Sequence, residues 1–134
     1  MDPEGGNPVN RCYFGALLLA VLLVLSFCTT LAVSRCQTPV VQALGQAAAA
    51  AAAGNNPAAQ ASIRAAENHW QHCRKFSASV VDHGPMETVD GLFAQLPPIL
   101  RSGDMPRTAA LCRELQQQVK AIIDAHRLSL WNFL

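Results

Sequence analysis

The chain has little charge of either sign. Only 14% of its 134 residues are charged, and the 10 Lys and Arg residues nearly balance the 9 Asp and Glu residues. No basic stripe is present, which excludes the usual nucleic-acid-binding surface. The signatures G-x-S-x-G and H-E-x-x-H and a glycine-rich phosphate loop are also absent. We therefore expect a protein that is not an enzyme and that needs no cofactor.

The five cysteines form no C-x-x-C pair, and their spacing is not that of a disulfide framework. Cys12, Cys28 and Cys36 lie in or beside an apolar run, whereas Cys73 and Cys112 lie in the more polar remainder. For Cys73 and Cys112 we expect the role of small apolar packing residues, which is common for buried cysteines.

One long uncharged segment, Tyr13 to Ser34, lies between Arg11 and Arg35. A helix of this length reaches roughly 33 Å, enough to cross a hydrocarbon core of about 30 Å. The sequence thus predicts an N-terminal tail at residues 1–12 and a transmembrane anchor at residues 13–34. The expected partner of residues 13–34 is the lipid bilayer.

A cleaved signal peptide is the alternative for this run, because Ala32-Val33-Ser34 matches the small-x-small pattern of a cleavage site. Cleavage near Ser34 would leave a secreted helical domain. Two observations favour an uncleaved signal anchor: the run exceeds the usual apolar core of a signal peptide, and the residues before it are not basic.

The sidedness of the anchor is not decided by charge, since Arg11 and Arg35 give an equal count on the two sides. The short N-terminal tail favours an N-terminus on the cytoplasmic side. We therefore expect a single-pass protein of the cell membrane whose soluble domain is extracytoplasmic.

An alanine-rich stretch follows the anchor. Thr38-Pro39 predicts a helix start, with Thr as N-cap and Pro at the first helical position. Gly54 predicts the end of that helix. Alanine favours helix but offers little packing surface, so the stretch can only approach a neighbour closely or hold as a stalk. The prediction for residues 35–56 is a helical stalk and a turn.

Residues 57–134 show apolar residues at spacings of three and four, the pattern of amphipathic helices. Helices are predicted near Pro57 to Val81, Met86 to Ser102 and Pro106 to His126. The expected turn between the first two is 82–85, with a kink or restart at Pro97-Pro98. Two G-x-x-P motifs, in which the Gly ends one helix and the Pro starts the next, indicate two αα-hairpins. The predicted fold is therefore all-α: a transmembrane helix and an antiparallel bundle with a docked C-terminal tail.

His69, His72 and Cys73 form the densest group of possible metal ligands, since spacings of three and four bring them together on a helix. More ligands would be needed for a complete site, so we predict no metal. A metal-binding or thiol-redox protein built on these residues is the alternative function. For Glu87 and Asp90 we expect complementation of a helix dipole, not acid–base catalysis.

Three short motifs occur together in this chain: a Trp on the helix predicted from Pro57, D-H-x-x-M-E-x-V-D at residues 82–90, and the tail L-S-L-W-N-F-L at residues 128–134. This combination resembles the bacterial domain-of-unknown-function family four-three-six-three, small membrane-anchored proteins mainly of Gram-positive anaerobes. The resemblance implies membrane anchoring and a helical domain, without an established activity. The motif residues are Trp70, Asp82, His83, Asp90 and Asn132.

Taken together, the sequence predicts a single-pass membrane protein that presents a helical interaction or scaffold domain. Its partner would be another protein, not identified by the sequence, or a second copy of the chain.

Overall fold

Four α-helices account for the described residues, 8–77 and 83–131, of the computed structural model. They are α1 (Pro8–Ala52), α2 (Asn56–Ser77), α3 (His83–Arg101) and α4 (Met105–Trp131). No strand occurs within these two ranges. The predicted all-α fold is confirmed.

The helix α1 is a single element of 45 residues, and this corrects the predicted helix start at Thr38. The Thr38 hydroxyl does not cap a helix but donates to the Ser34 carbonyl at 2.8 Å, four residues back. Pro39 lies inside the helix and removes one backbone donor. The leucine- and alanine-rich segments on either side are strong helix formers, so the helix continues through this position.

The alanine-rich part of α1 is packed inside the bundle and is not a stalk. Ala43, Ala47, Ala48 and Ala51 are all buried, and they contact the core formed by the other helices. Their small side chains let the backbones of α2 and α4 approach α1 closely. Of the two alternatives for the alanine stretch, close approach to neighbouring helices is the one observed, and it buries methyl groups that a stalk would leave without a partner.

The core combines the second half of α1 with one face of each of the other helices. Trp70 is the largest fully buried side chain. The three-four patterns of the sequence are confirmed by the buried residues of α2 to α4, which include Ile63, Ala66, Cys73, Met86, Val89, Phe93, Leu96, Leu100, Leu111, Cys112, Leu115, Val119 and Ile122.

The turns after α1 and α3 use the same device. Gly54 and Gly103 adopt φ of 72° and 75°, the left-handed conformation that ends a helix at little cost when no Cβ is present. The Gly54 amide bonds to the Ala51 carbonyl at 3.0 Å, and the Gly103 amide bonds to the Leu100 carbonyl at 3.2 Å. A side chain at either glycine would strain the turn.

The helices after these turns are capped by side chains. The Asn55 side-chain oxygen Oδ1 accepts from the Ala58 amide at 3.2 Å, and the Asp104 carboxylate accepts from the Arg107 amide at 3.1 Å. Both side chains satisfy a donor that the first turn leaves free. The shared G-x-x-P pattern therefore marks two equivalent helix-turn-helix connections.

The helix α3 departs from its predicted bounds at both proline sites. It begins at His83, so Gly84 and Pro85 occupy its first turn, where a missing amide donor costs little. Pro97 and Pro98 lie inside α3, which does not restart after them. Both prolines are exposed.

The helix α4 extends past the predicted end at His126 as far as Trp131. Leu128 is 66% exposed on this extension. Residues 132–134 lie outside the described residues, so docking of the C-terminal tail stays a prediction.

The bundle runs up and down. Cys36 meets Cys73 at one end, and Ala51 clusters with Ala59 and Ala109 at the other, so α2 and α4 are both antiparallel to α1. We call the end near Cys36 the proximal end, from which α1 projects, and the end at residues 53–55 and 102–104 the distal end.

Candidate functional site

A disulfide between Cys36 and Cys73 fastens α1 to α2 at the proximal end, with the Cα atoms 5.6 Å apart. This corrects the prediction that Cys73 is a simple packing residue. The two positions are separated by 37 residues, and only the antiparallel hairpin brings them together. Sequence spacing carried no signal for this pairing.

Next to the disulfide, a polar cluster ties α2 to α3. The Trp70 indole N–H donates to one Asp90 oxygen at 2.7 Å, and the Arg74 guanidinium lies 3.1 Å from the other. Trp70 is fully buried, and its ring centroid lies 6.3 Å from that of Phe93. A buried indole needs such an acceptor, because an unpaired buried N–H is costly.

This cluster changes the interpretation of Asp90. We expected it to complement a helix dipole, but it lies beyond the first turn of α3 and instead accepts from Trp70 and pairs with Arg74. Two predicted motif residues, Trp70 and Asp90, are thus in direct contact. His83 is the first residue of α3, whereas Asp82 and Asn132 lie outside the described residues.

The candidate metal ligands are not assembled into a site. His69 and His72 are exposed on α2, and Cys73 is bonded to Cys36. A disulfide sulfur is not the thiolate that metals bind. Within residues 8–77 and 83–131, no group of three or more His, Cys, Asp or Glu side chains is placed to hold a metal ion.

Cys112 also lacks the properties of a reactive thiol. It is fully buried on α4, and burial raises its pKa to about 11. A nucleophilic cysteine needs an accessible thiolate near neutral pH. Cys112 therefore fills the predicted role of a packing residue.

A shallow groove of about 360 Å³ lies between α1 and α4. Its floor is formed by Gly45, Ala48 and Ala49 of α1, and its wall by four long side chains of α4. These are Arg113, Gln116, Gln117 and Lys120. The groove presents two cations and two amides above a flat surface of small residues.

The Gln116 side chain passes close over Gly45 at the groove. The Gln116 amide nitrogen donates to the Val41 carbonyl at 3.0 Å, and a Cβ at Gly45 would lie only 2.9 Å from that nitrogen. Glycine therefore lets Gln116 cross onto the α1 backbone. Sequence reasoning missed this contact, although an isolated Gly inside a helical pattern is a signal of close packing.

Gln37 is the one described side chain with a buried polar atom that has no hydrogen-bond partner. It is 1% exposed and faces the core of the proximal end from α1. Such a group lowers stability, since it loses its bonds to water on folding.

Fold and site together define a class: helical-bundle proteins whose first helix projects as a long apolar segment. The family model for the Domain of unknown function (DUF4363) matches residues 27–133, and the chain belongs to that family. The family named from the sequence motifs is thereby confirmed. No curated protein and no solved structure matches the chain.

Proposed function

We propose that this chain is a non-enzymatic single-pass membrane protein that presents a helical interaction domain on the extracytoplasmic side. The observation that carries the proposal is the change in exposure along α1. Every residue from 9 to 28 is exposed, and partial burial by the bundle begins at Thr29. Within the described residues, α1 is the helix long and apolar enough to cross a membrane.

The exposed stretch suits a bilayer and not water. From Tyr13 onward it carries no charge, and together with the turns that follow as far as Ser34 it reaches roughly 33 Å, enough to cross a hydrocarbon core of about 30 Å. Leucine, valine and phenylalanine side chains between Tyr13 and Leu31 are exposed on all sides of the helix. In water this would be an apolar patch far larger than those found on soluble monomers.

The disulfide supports the extracytoplasmic side. Bonds such as Cys36–Cys73 persist in oxidising compartments and are rare in the reducing cytosol. Arg11 and Arg35 give the same positive charge on both sides of the span, so flanking charge does not favour either orientation. The disulfide is therefore the stronger argument for orientation. It also supports a bundle that begins where the membrane span ends, because Cys36 follows the apolar run directly.

The groove between α1 and α4 is the surface we propose for the partner. Arg113 and Lys120 are exposed and are joined to no carboxylate among the described residues. Gln117 lies between them and offers both donors and an acceptor. This chemistry fits a segment of another protein that carries carboxylates.

Anchoring is tested by extracting cell membranes with alkaline carbonate and measuring the intact mass of the protein that remains. We expect the full-length chain in the membrane pellet. A soluble product that begins near Arg35 would refute anchoring and support the cleaved, secreted alternative.

Sidedness is tested with single cysteines in a Cys12→Ser, Cys28→Ser background. A membrane-impermeant maleimide should label Gln60→Cys, at the distal end of α2, in intact cells. The matched Asn10→Cys should be labelled only after lysis. The opposite pattern would refute the extracytoplasmic assignment.

The interaction surface is tested with a photo-crosslinking residue at Gln117 and a matched one at Arg64, which is exposed on α2 outside the groove. We expect discrete products from position 117 that disappear with Arg113→Glu and Lys120→Glu. A product of twice the monomer mass would identify a second copy of the chain. Equal products from both positions, or none, would refute the groove as the binding surface.

A further inference from the structure

We infer that the proximal end of the bundle is itself a membrane-contacting surface, seated in the phospholipid headgroup layer with Phe76 and Leu128 inserted. This inference rests on the proposed anchoring by α1. It goes further, because an anchored domain could equally stand clear of the bilayer on a rigid helix.

The exposed apolar side chains are distributed unevenly. Outside α1, Phe76 and Leu128 are the large hydrophobic side chains of the described residues that are exposed, at 60% and 66%. Both lie at the proximal end, near the end of α2 and of α4, and the described distal end has none. Single exposed apolar residues are ordinary, but two at the end of the bundle from which the apolar helix projects point to lipid contact.

The level of these residues relative to the bilayer follows from the helix register. Cys73 is bonded to Cys36, so Phe76 lies about one turn closer to the membrane than Cys36. Gln116 contacts Val41, and Leu128 lies about 18 Å further along α4 at ~1.5 Å per residue. Both side chains therefore reach the level of the last turns of the apolar run.

The burial of residues along α1 also indicates that the proximal end reaches the last turns of the apolar run. Thr29 and Thr30 are half-buried and Val33 is 1% exposed, although all three belong to the apolar run. The last turns of the run are thus covered by the proximal end of the bundle. A span of about 20 residues that begins at Tyr13 ends near Ala32, so it includes Thr29 and Thr30 and stops beside Val33. The bundle and the bilayer interface therefore overlap in depth.

The charges at this end fit lipid phosphates. Arg35, Lys75 and Arg127 are exposed and form no ion pair with another described residue, while Arg74 is neutralised by Asp90. Exposed Glu87 and Asp124 lie at a similar level, so the cations are only slightly in excess. The surface therefore suits the phosphates that all phospholipids carry, and it does not require anionic lipid.

The test places single tryptophans in the full-length chain with Trp131→Phe, with buried Trp70 as a constant background. The variants Phe76→Trp and Leu128→Trp are compared with Gln60→Trp at the distal end, in vesicles of phosphatidylcholine with brominated acyl chains. Bromine quenches only nearby indoles. We expect at least about 2-fold stronger quenching at positions 76 and 128 than at 60, because interfacial side chains reach the acyl boundary.

The basic residues are tested by Lys75→Glu with Arg127→Glu, which should weaken the quenching at position 76 by about 2-fold through repulsion from phosphate. The matched Arg64→Glu should leave it unchanged. Circular dichroism and retention of the Cys36–Cys73 bond show that each variant is folded.

Quenching at 76 and 128 equal to that at 60 would overturn the inference. If the tryptophans at 76 and 128 are shielded from quenching, and this shielding disappears when the protein is diluted with more lipid, a second copy of the chain covers the surface. That result would also overturn the inference. Carbonate extraction separates this failure from failure of the anchor, since an anchored chain whose tryptophans are not quenched refutes only the seated bundle.

Discussion

Loss of the Cys36–Cys73 disulfide is expected to destabilise the bundle by about 2–4 kcal/mol. The bond closes a loop of 37 residues, and the chain-entropy relation gives about 4 kcal/mol for a loop of that length. Helix that persists in the unfolded chain lowers the value, because the two cysteines are then already less free. A loss of about 2–4 kcal/mol is a large share of the unfolding free energy of a domain of this size.

The assay is denaturant unfolding of the full-length chain in detergent micelles, followed by the emission of Trp70 in a Trp131→Phe background. The oxidised protein is compared with the Cys36→Ala, Cys73→Ala double variant. Trp70 is a suitable reporter because it is fully buried one turn from Cys73.

Two controls separate the disulfide from other effects. A reductant should shift the unfolding midpoint of the parent protein and leave that of the double variant unchanged. Cys112→Ala should respond to the reductant as the parent does, since Cys112 is outside the bond. A midpoint that is unaffected by reduction in the parent would refute the reasoning.

Substitutions at Asp90, Arg74, Gln37 and Cys112 test the packing of the bundle. Asp90→Ala should cost about 1–3 kcal/mol in unfolding free energy, because it leaves the buried Trp70 N–H unpaired. Asp90→Asn should cost less, and Arg74→Ala less than about 1 kcal/mol, since that ion pair is partly exposed. Gln37→Leu should stabilise by about 1–3 kcal/mol by removing a buried unpaired oxygen, and an unchanged or lower midpoint would contradict this. Burial raises the pKa of Cys112 from 9.0 to about 11, so its contribution is complete below pH 9 and is lost as the pH rises to 11. The expected loss is about 2–3 kcal/mol, and Cys112→Ala should lack this step in a pH series of unfolding midpoints.

The helical faces were predictable because they depend on local periodicity. Met86, Val89 and Phe93 repeat at three and four residues, and all are buried. The glycine turns were predictable for the same reason, since φ at Gly54 and Gly103 follows from the absence of a Cβ.

The continuity of α1 was not predictable from its local signals. Thr38-Pro39 has the composition of a helix start, yet the chain passes through it as helix. Burial of Val33, Val40 and Leu44 on one side explains this, because a break there would remove all three from a common core. Tertiary packing outweighed the local preference.

The site residues were predicted singly and not as pairs. Trp70 and Asp90 were named as motif residues, but the hydrogen bond between them required α2 and α3 to meet in one register. The disulfide was missed for the same reason, and its discovery removes Cys73 from the suggested metal ligands.

By itself the sequence determined what depends on neighbouring residues: the apolar run from Tyr13 to Ser34, the helical faces and the two capped turns. Only the tertiary structure decided what depends on which faces meet. It paired Cys36 with Cys73, set Gln116 across Gly45 and brought Phe76 to the proximal end. The physical reason is that helix formation is governed by contacts three and four residues apart, whereas these pairings join residues far apart in the chain and exist only once the helices have packed.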